Sequence, residues 1–274
     1  MKRLNRSVWT RLGWFAAVVL VAASVTGCGS KSDDQRPVVV LITDVSGSTK
    51  ELRDKGGEFD VAIKRAIEET AASEGQLWAR PVAGQAAASG TWLIDGEGAG
   101  AGNFEKGTGG STYEADILQR KASKLADSAE GRELLKTISG TSKKKNCGSD
   151  LLGAIRQAGN IFSDHPNQPK ALVLLTDGGV CSRGVDVASN PPGSASAQKK
   201  LVDKLRSQGE ISPDYLQGVT VWAGGVGRGL TGNDGANATA VLDLWTRIIK
   251  AEGGKVGDID TSLNLTDFPP ASSN

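Results

Sequence analysis

The segment 37–49, PVVVLITDVSGST, sets the architecture of the chain. Its first seven residues form an unbroken apolar, β-branched run, which is typical of a strand buried on both faces of a parallel sheet. The run ends at Asp44, and the small hydroxyl residues Ser46, Ser48 and Thr49 follow within five positions. A buried strand that stops on a carboxylate beside hydroxyl groups predicts a polar site at the carboxyl end of the sheet.

Strands and helices alternate along the rest of the chain. Further strands are predicted over 76–84, 91–95, 170–176, 219–225 and, more weakly, 255–260, and helices over 58–73, after Ser149, over 195–209 and over 237–254. Pro81 lies within the second strand and favours an edge position, because proline cannot donate to a neighbouring strand. The alternation predicts an α/β fold: a Rossmann-like, doubly wound, mostly parallel sheet flanked by helices.

The 274 residues are expected to contain a single domain, from 37 to 265. An insertion is expected within about 84–146, because this region is rich in glycine and only 112–139 has a helical pattern. Residues 266–274 are expected to form a loose tail. The formal net charge of +1 gives no indication of nucleic-acid binding.

The N-terminal segment has the pattern of an export signal. Four basic residues precede an uncharged stretch at 13–27, GWFAAVVLVAASVTG, and Cys28 follows small residues. This resembles a bacterial lipoprotein signal peptide over 1–27, in which Cys28 receives the lipid and 28–36 link it to the domain. A transmembrane anchor is the alternative, but spanning a bilayer takes about 20 apolar residues. The resemblance implies a protein attached by lipid to the extracytoplasmic face of the cell membrane.

Three segments are expected to meet at one edge of the sheet. The strand 170–176 runs into Asp177, and Ser149, in NCGSDLLGAI, lies at the mouth of the helix that leads into that strand. The candidate ligands are Asp44, Ser46, Ser48, Ser149 and Asp177. They offer only oxygen, which suits a hard divalent cation such as Mg²⁺ or Mn²⁺. The alternatives are that these residues cap turns and helices, or that Ser111 takes the place of Ser149.

The same residues resemble those of a known family. Asp44-Val45-Ser46-Gly47-Ser48 matches the Asp-x-Ser-x-Ser signature of von Willebrand factor type A (VWA) domains. Ser149 matches the position of a later hydroxyl, usually threonine, and Asp177 that of a later aspartate. The resemblance implies a metal-ion-dependent adhesion site, in which an acidic residue of a protein partner completes the shell of Mg²⁺ or Mn²⁺. It implies a binding protein and not an enzyme.

Two other functions fit the sequence less closely. One is a structural envelope protein whose metal ion only stabilises loops. The other is an extracytoplasmic hydrolase, which is disfavoured because the only histidine, His165, lies in a predicted surface loop.

The chain contains three cysteines. If Cys28 carries lipid, Cys147 and Cys181 remain as one possible disulfide pair in a compartment that permits disulfides. Such a bond would fix the loops of Ser149 and Asp177 relative to each other. The alternative is two buried free thiols.

Overall fold

A computed structural model describes residues 36–53, 57–73, 75–82, 92, 149–182, 185–187, 191–228, 235–262, 265 and 267–270. The strands in these ranges are β1 (Val38–Asp44), β2 (Gln76–Val82), β3 (Lys170–Leu175), β4 (Cys181–Ser182), β5 (Val185–Asp186), β6 (Val219–Gly224) and β7 (Lys255–Asp260). The helices are α1 (Lys50–Arg53), α2 (Glu58–Ala72), α3 (Leu151–Asp164), α4 (Ala195–Ser207) and α5 (Gly235–Ala251), and a 3-10 turn covers Gly47–Thr49.

Within the described residues, five strands form one parallel sheet in the order β2-β1-β3-β6-β7. The predicted parallel α/β fold is therefore confirmed. From β1 the chain moves outward to β2 and later returns to β3 on the opposite side of β1. The direction of winding thus reverses between β1 and β3. Open α/β sheets bind ligands beyond the carboxyl ends of the strands at such a reversal.

The two faces of the sheet pack into separate apolar cores. Val38, Val40 and Ile42 of β1 belong to a core built with α3, α4 and α5, whereas Val39 and Leu41 belong to a core built with α2. This alternation follows from the period of two residues in a strand. Because both sides are covered by helices, β1 is apolar over its first five residues, and its one charged side chain is placed at its end.

The predicted first and last residues of the strands agree closely with those of the described strands. β1 begins and ends one residue later than predicted, and β2 lies at an edge of the sheet that the described strands form, with Pro81 opposite Thr43. The weak prediction over 255–260 corresponds to β7. Of the predicted strand 91–95 only Trp92 is described; it is not part of a strand and stacks against Arg80 at 5.4 Å.

The segment 266–274 is not loose at Phe268. This side chain is buried, and its ring contacts that of Trp222 edge-on, with 5.2 Å between the ring centroids. Burying an aromatic side chain is worth a few kcal/mol, which is enough to hold a short segment against the sheet. The described part of the segment therefore packs against Trp222 of β6 through Phe268.

Several predictions fall outside the described residues. They are the signal peptide, Cys28 and its linker up to residue 35, Cys147, and the insertion within 84–146 with its Ser111. Of the insertion only Trp92 is described. Cys181 lies in β4, but its side chain is not described. No helix in the described ranges is both long enough and apolar enough to cross a membrane.

Candidate metal centre

Asp44 lies at the point of the sheet where the direction of winding reverses. It is the last residue of β1, and its side chain is fully buried. Its Oδ1 accepts the backbone N–H of Ser46 at 2.8 Å and the hydroxyl of Ser149 at 2.5 Å, and its Oδ2 accepts the hydroxyl of Thr176 at 3.0 Å. Each donor comes from a different segment, so the carboxylate joins three loops.

Ser149 reaches Asp44 because α3 starts at the same edge of the sheet. Asp150 caps this helix by accepting the N–H of Gly153 at 3.0 Å, so the residue before the cap lies over the end of β1. The Ser149 side chain is buried, and its hydroxyl also lies 3.5 Å from the carbonyl oxygen of Val82 at the end of β2. Ser149 thus lies where the sequence predicts, beside Asp44.

The loop after Asp44 is held by Thr49. Its buried hydroxyl donates to the carbonyl oxygens of Asp44 at 2.9 Å and of Ser46 at 3.0 Å. Arg53 donates to the same Ser46 carbonyl at 3.1 Å and to the Thr49 hydroxyl at 3.2 Å. These bonds close the loop into a tight turn in which the hydroxyls of Ser46 and Ser48 lie 3.0 Å apart. The two predicted serines are therefore together on one side of Asp44.

Asp177 follows β3 by two residues and lies on the neighbouring loop. It is almost completely buried; its Oδ1 accepts the N–H of Gly179 at 2.8 Å, and its carbonyl accepts the N–H of Gly227 at 2.8 Å. In the register of the sheet, Thr43 is opposite Leu175, so Asp177 lies just beyond the end of β1. The second predicted carboxylate is thus at the same edge as Asp44.

Gly178 lets the loop of Asp177 pack closely against α5. Its φ is +80°, and a side chain there would meet Trp245 Nε1 and Val241 at 2.8 Å. Trp245 also donates its indole N–H to the Gly178 carbonyl at 3.0 Å. Only glycine suits both the backbone angle and the close approach, so the position of Asp177 is determined by packing against α5.

The surroundings of Asp44 disfavour the charged form of its carboxyl group. Burial raises the pKa of the Asp44 carboxyl from 3.8 to about 6, and the charge of Asp177 acts in the same direction. Hydrogen bonds from Ser149 and Ser46 lower this pKa in part. Because a nearby cation favours the charged form of a carboxylate, a bound divalent ion would oppose both effects that raise the pKa.

The five predicted ligands do not have equal access to solvent. Asp44, Ser149 and Asp177 are buried, Ser46 is half-buried and Ser48 is exposed. Among the described residues, the turn of Ser46 and Ser48 is therefore the open side of the site. No group of three or more His, Cys, Asp or Glu side chains that could hold a metal ion occurs in the described ranges. The candidate site differs in kind, since it combines two carboxylates with three hydroxyls.

Sequence reasoning missed Thr176 as a site residue, and it named Thr49 without predicting its role in the loop. Thr176 donates to Asp44 and accepts the N–H of Gly178 at 3.0 Å, and Thr49 holds the first loop. The sequence contained a signal for Thr176, because it directly precedes Asp177. Once β1 and β3 are aligned as parallel neighbours, it falls opposite Asp44.

No protein-family model matches the chain, and comparison with curated proteins gives no significant match.

Proposed function

We propose that this chain is a lipid-anchored extracytoplasmic lipoprotein whose VWA-like domain binds a protein partner through a divalent metal ion. The ion is Mg²⁺ or Mn²⁺, held by Asp44, Ser46, Ser48, Ser149 and Asp177. Cys28 carries the lipid, and the protein is a binding module and not an enzyme. The observation that carries the proposal is the contact between Ser149 and Asp44 in a buried site that also includes Asp177.

The composition of the site supports a hard cation. Carboxylate and hydroxyl oxygens are the ligands that Mg²⁺ accepts, and two carboxylates balance its double charge. The Asp44 carboxyl is buried near a like charge, which is unfavourable unless a proton or a cation compensates. When bound, the ion would supply an electrophilic position that an oxygen anion can occupy.

The exposure of the ligands indicates from which side a partner would reach the ion. The inner ligands are covered by the sheet and the helices, while Ser48 is exposed. A partner carboxylate would approach from the side of Ser46 and Ser48 and complete the shell of the ion. The bonds from Thr49 and Arg53 fix that turn before a partner arrives, which lowers the entropy cost of binding.

The position of His165 argues against a hydrolase that would use histidine as a base at this site. His165, the only histidine of the chain, directly follows α3, and its ring lies against that of Trp78 at 55°, with 5.3 Å between the ring centroids. It lies before the amino end of β3, whereas Asp177 follows the carboxyl end. A hydroxyl nucleophile at the candidate site would therefore have no imidazole base within reach.

The proposal is tested by affinity capture from an envelope extract on the immobilised protein, in Mg²⁺ and again in EDTA. Asp44→Ala provides the matched variant. A partner is expected to bind wild type in Mg²⁺, to be released by EDTA and to be absent from Asp44→Ala. The released partner is then purified and titrated against both proteins.

The structural alternative gives a different pattern. If the ion only stabilises loops, EDTA lowers the melting temperature while a captured partner stays bound. Partner binding that is unchanged by both EDTA and Asp44→Ala removes metal-bridged recognition.

A further inference from the structure

A cleft of about 720 Å³ lies at the amino ends of β3, β6 and β7, at the opposite end of the sheet from the candidate metal centre. Lys170 and Lys255, the first residues of β3 and β7, line it together with Thr220 of β6. The metal site uses none of these residues. The cleft is therefore a separate feature of the domain.

The described residues that line the cleft carry a net positive charge, since they include two lysines and one aspartate. Neither Lys170 nor Lys255 forms an ion pair with a carboxylate in the described part of the chain, and Asp214 is the one acidic side chain among the described lining residues. Asp214 is exposed, whereas Lys170 is partly buried, and burial lowers the pKa of Lys170. A partly desolvated ammonium group without a partner is stabilised when an anion binds beside it.

The rest of the lining favours an anion that also carries an apolar part. Asn167 and Gln217 offer amide donors, Tyr215 adds a side chain with an apolar ring and a hydroxyl, and Pro270 provides apolar surface. An inorganic anion would use only the donors. A phosphate diester attached to a glycerol backbone would use both kinds of surface.

The cleft lies where the chain enters the domain. Val38, at the start of β1, is the register partner of Lys170, and its N–H donates to the Pro169 carbonyl at 2.8 Å. Nine positions separate Cys28 from Pro37. A flexible linker of this length spans about 15–18 Å, so a lipid on Cys28 would keep this end of the domain near the headgroups.

We propose that this cleft binds the phosphate of an anionic phospholipid headgroup through Lys170 and Lys255. The inference rests on the lipid anchor in the proposed function and does not depend on the metal ion. It gives the domain a second attachment to its membrane. With the amino ends of the strands held at the lipid, the metal centre at their carboxyl ends faces outward.

Lysine acylation of the lipidated protein in vesicles tests the proposal. The protein is reconstituted in phosphatidylcholine alone and in phosphatidylcholine with phosphatidylglycerol, and acylation rates are read by mass spectrometry. Lys170 and Lys255 are expected to react about five-fold more slowly in the anionic vesicles. Lys200, an exposed lysine of α4 outside the cleft, is the matched internal control and is expected to react equally in both.

Two variants and one added anion sharpen the result. Lys255→Gln is expected to reduce the protection of Lys170, and Asp214→Asn is expected to increase it because a repulsive charge is removed. Inorganic phosphate added to phosphatidylcholine vesicles, at the concentration of the lipid phosphate, is expected to give no protection. Equal protection by inorganic phosphate would overturn the headgroup assignment in favour of a soluble anion.

The possible failures are distinguishable. Protein that does not float with the vesicles contradicts the lipid anchor, and the headgroup site is then lost with it. Protein that floats but shows the same Lys170 and Lys255 rates in both vesicles overturns the cleft proposal alone. Neither outcome bears on metal binding at the other end of the sheet.

Discussion

The hydroxyl of Ser149 lies 2.5 Å from Oδ1 of Asp44, although 105 positions separate the two residues in the chain. The contact joins the start of α3 to the end of β1 at the point where the winding of the sheet reverses. Both residues are buried, so the Asp44 charge depends on a few fixed donors and not on water. The ionisation of Asp44 therefore affects both the stability of the domain and its proposed affinity for a cation.

The metal-free protein is expected to lose stability as the pH rises from about 4 to about 6. The folded-state pKa of Asp44, about 6, is above the ordinary value of 3.8, so the folded protein holds a proton that the unfolded chain has released. This contribution is fully present below the lower pKa and is lost as the pH rises through the higher one. It is on the order of 3 kcal/mol.

Urea denaturation in EDTA at a series of pH values measures this loss. Asp44→Asn should lack that part of the pH dependence, and the difference between the two proteins isolates it from other groups. Identical pH dependence in wild type and Asp44→Asn would contradict the burial of an ionisable carboxyl at this site.

Affinity for Mg²⁺ is expected to fall as the pH drops below about 6. The proton and the cation compete for the Asp44 carboxylate, whose pKa is raised by burial and by Asp177. Well below pH 6 the apparent affinity should decrease about ten-fold per pH unit, since one proton must leave for each ion bound. Titrations across this range measure it, and an affinity that does not vary with pH would show that Asp44 is not a ligand.

Ser149→Ala is expected to weaken Mg²⁺ binding and to raise the pKa of Asp44 further, because the hydrogen bond from Ser149 lowers that pKa. Losing a donor to a buried charged acceptor costs about 1–3 kcal/mol. Ser149→Thr keeps the hydroxyl and should retain most of the affinity. Ser163→Ala is the matched control, since Ser163 is exposed and, among the described residues, its hydroxyl bonds within its own helix.

Equal Mg²⁺ affinities for the alanine variants at 149 and 163 would exclude Ser149 as a ligand. If Ser149→Ala and Ser149→Thr both fold normally and both lose Mg²⁺ affinity, the shape of the side chain and not its hydroxyl matters at position 149.

Gly178→Ala is expected to destabilise the domain more than Gly209→Ala. Both glycines have positive φ, +80° and +70°, but an added Cβ meets Trp245 and Val241 at 2.8 Å only at position 178. Backbone strain alone costs about 1 kcal/mol at Gly209, whereas overpacking adds roughly 1–3 kcal/mol at Gly178. Denaturation curves measure the two losses, and equal losses would contradict the packing of this loop against α5.

Gly178→Ala should also weaken Mg²⁺ binding, since Gly178 adjoins Asp177. Gly209→Ala should leave Mg²⁺ binding unchanged, because Gly209 follows α4, where an added Cβ would lie more than 4 Å from every described atom outside the adjoining residues.

Local patterns were sufficient to predict the parallel α/β fold and the edge of the sheet at which Asp44, Ser149 and Asp177 lie. The apolar run before Asp44 located β1 to within one residue, because a strand covered on both faces has little room for polar side chains. Topology then placed Ser149 near Asp44, since a helix that feeds the neighbouring strand must begin at the same edge. These predictions use rules that hold for any parallel α/β sheet.

The missing features depend on contacts between distant segments. Thr176 is a site residue only because the register places it opposite Asp44, and register cannot be read from one strand alone. Phe268 stands in a stretch without periodicity, yet it is buried against Trp222. A single large side chain that packs into the core from an irregular segment makes no periodic pattern in the sequence, so the contact cannot be predicted from local residues.

Calorimetric titration of Mg²⁺, and separately of Mn²⁺, into the folded protein at neutral pH decides whether the site binds a cation. Wild type is expected to bind one ion and Asp44→Ala none, with Ser163→Ala behaving as wild type. Absence of heat and of any thermal stabilisation in wild type with either ion, or equal binding by Asp44→Ala, would contradict a metal centre formed by Asp44, Ser149 and Asp177.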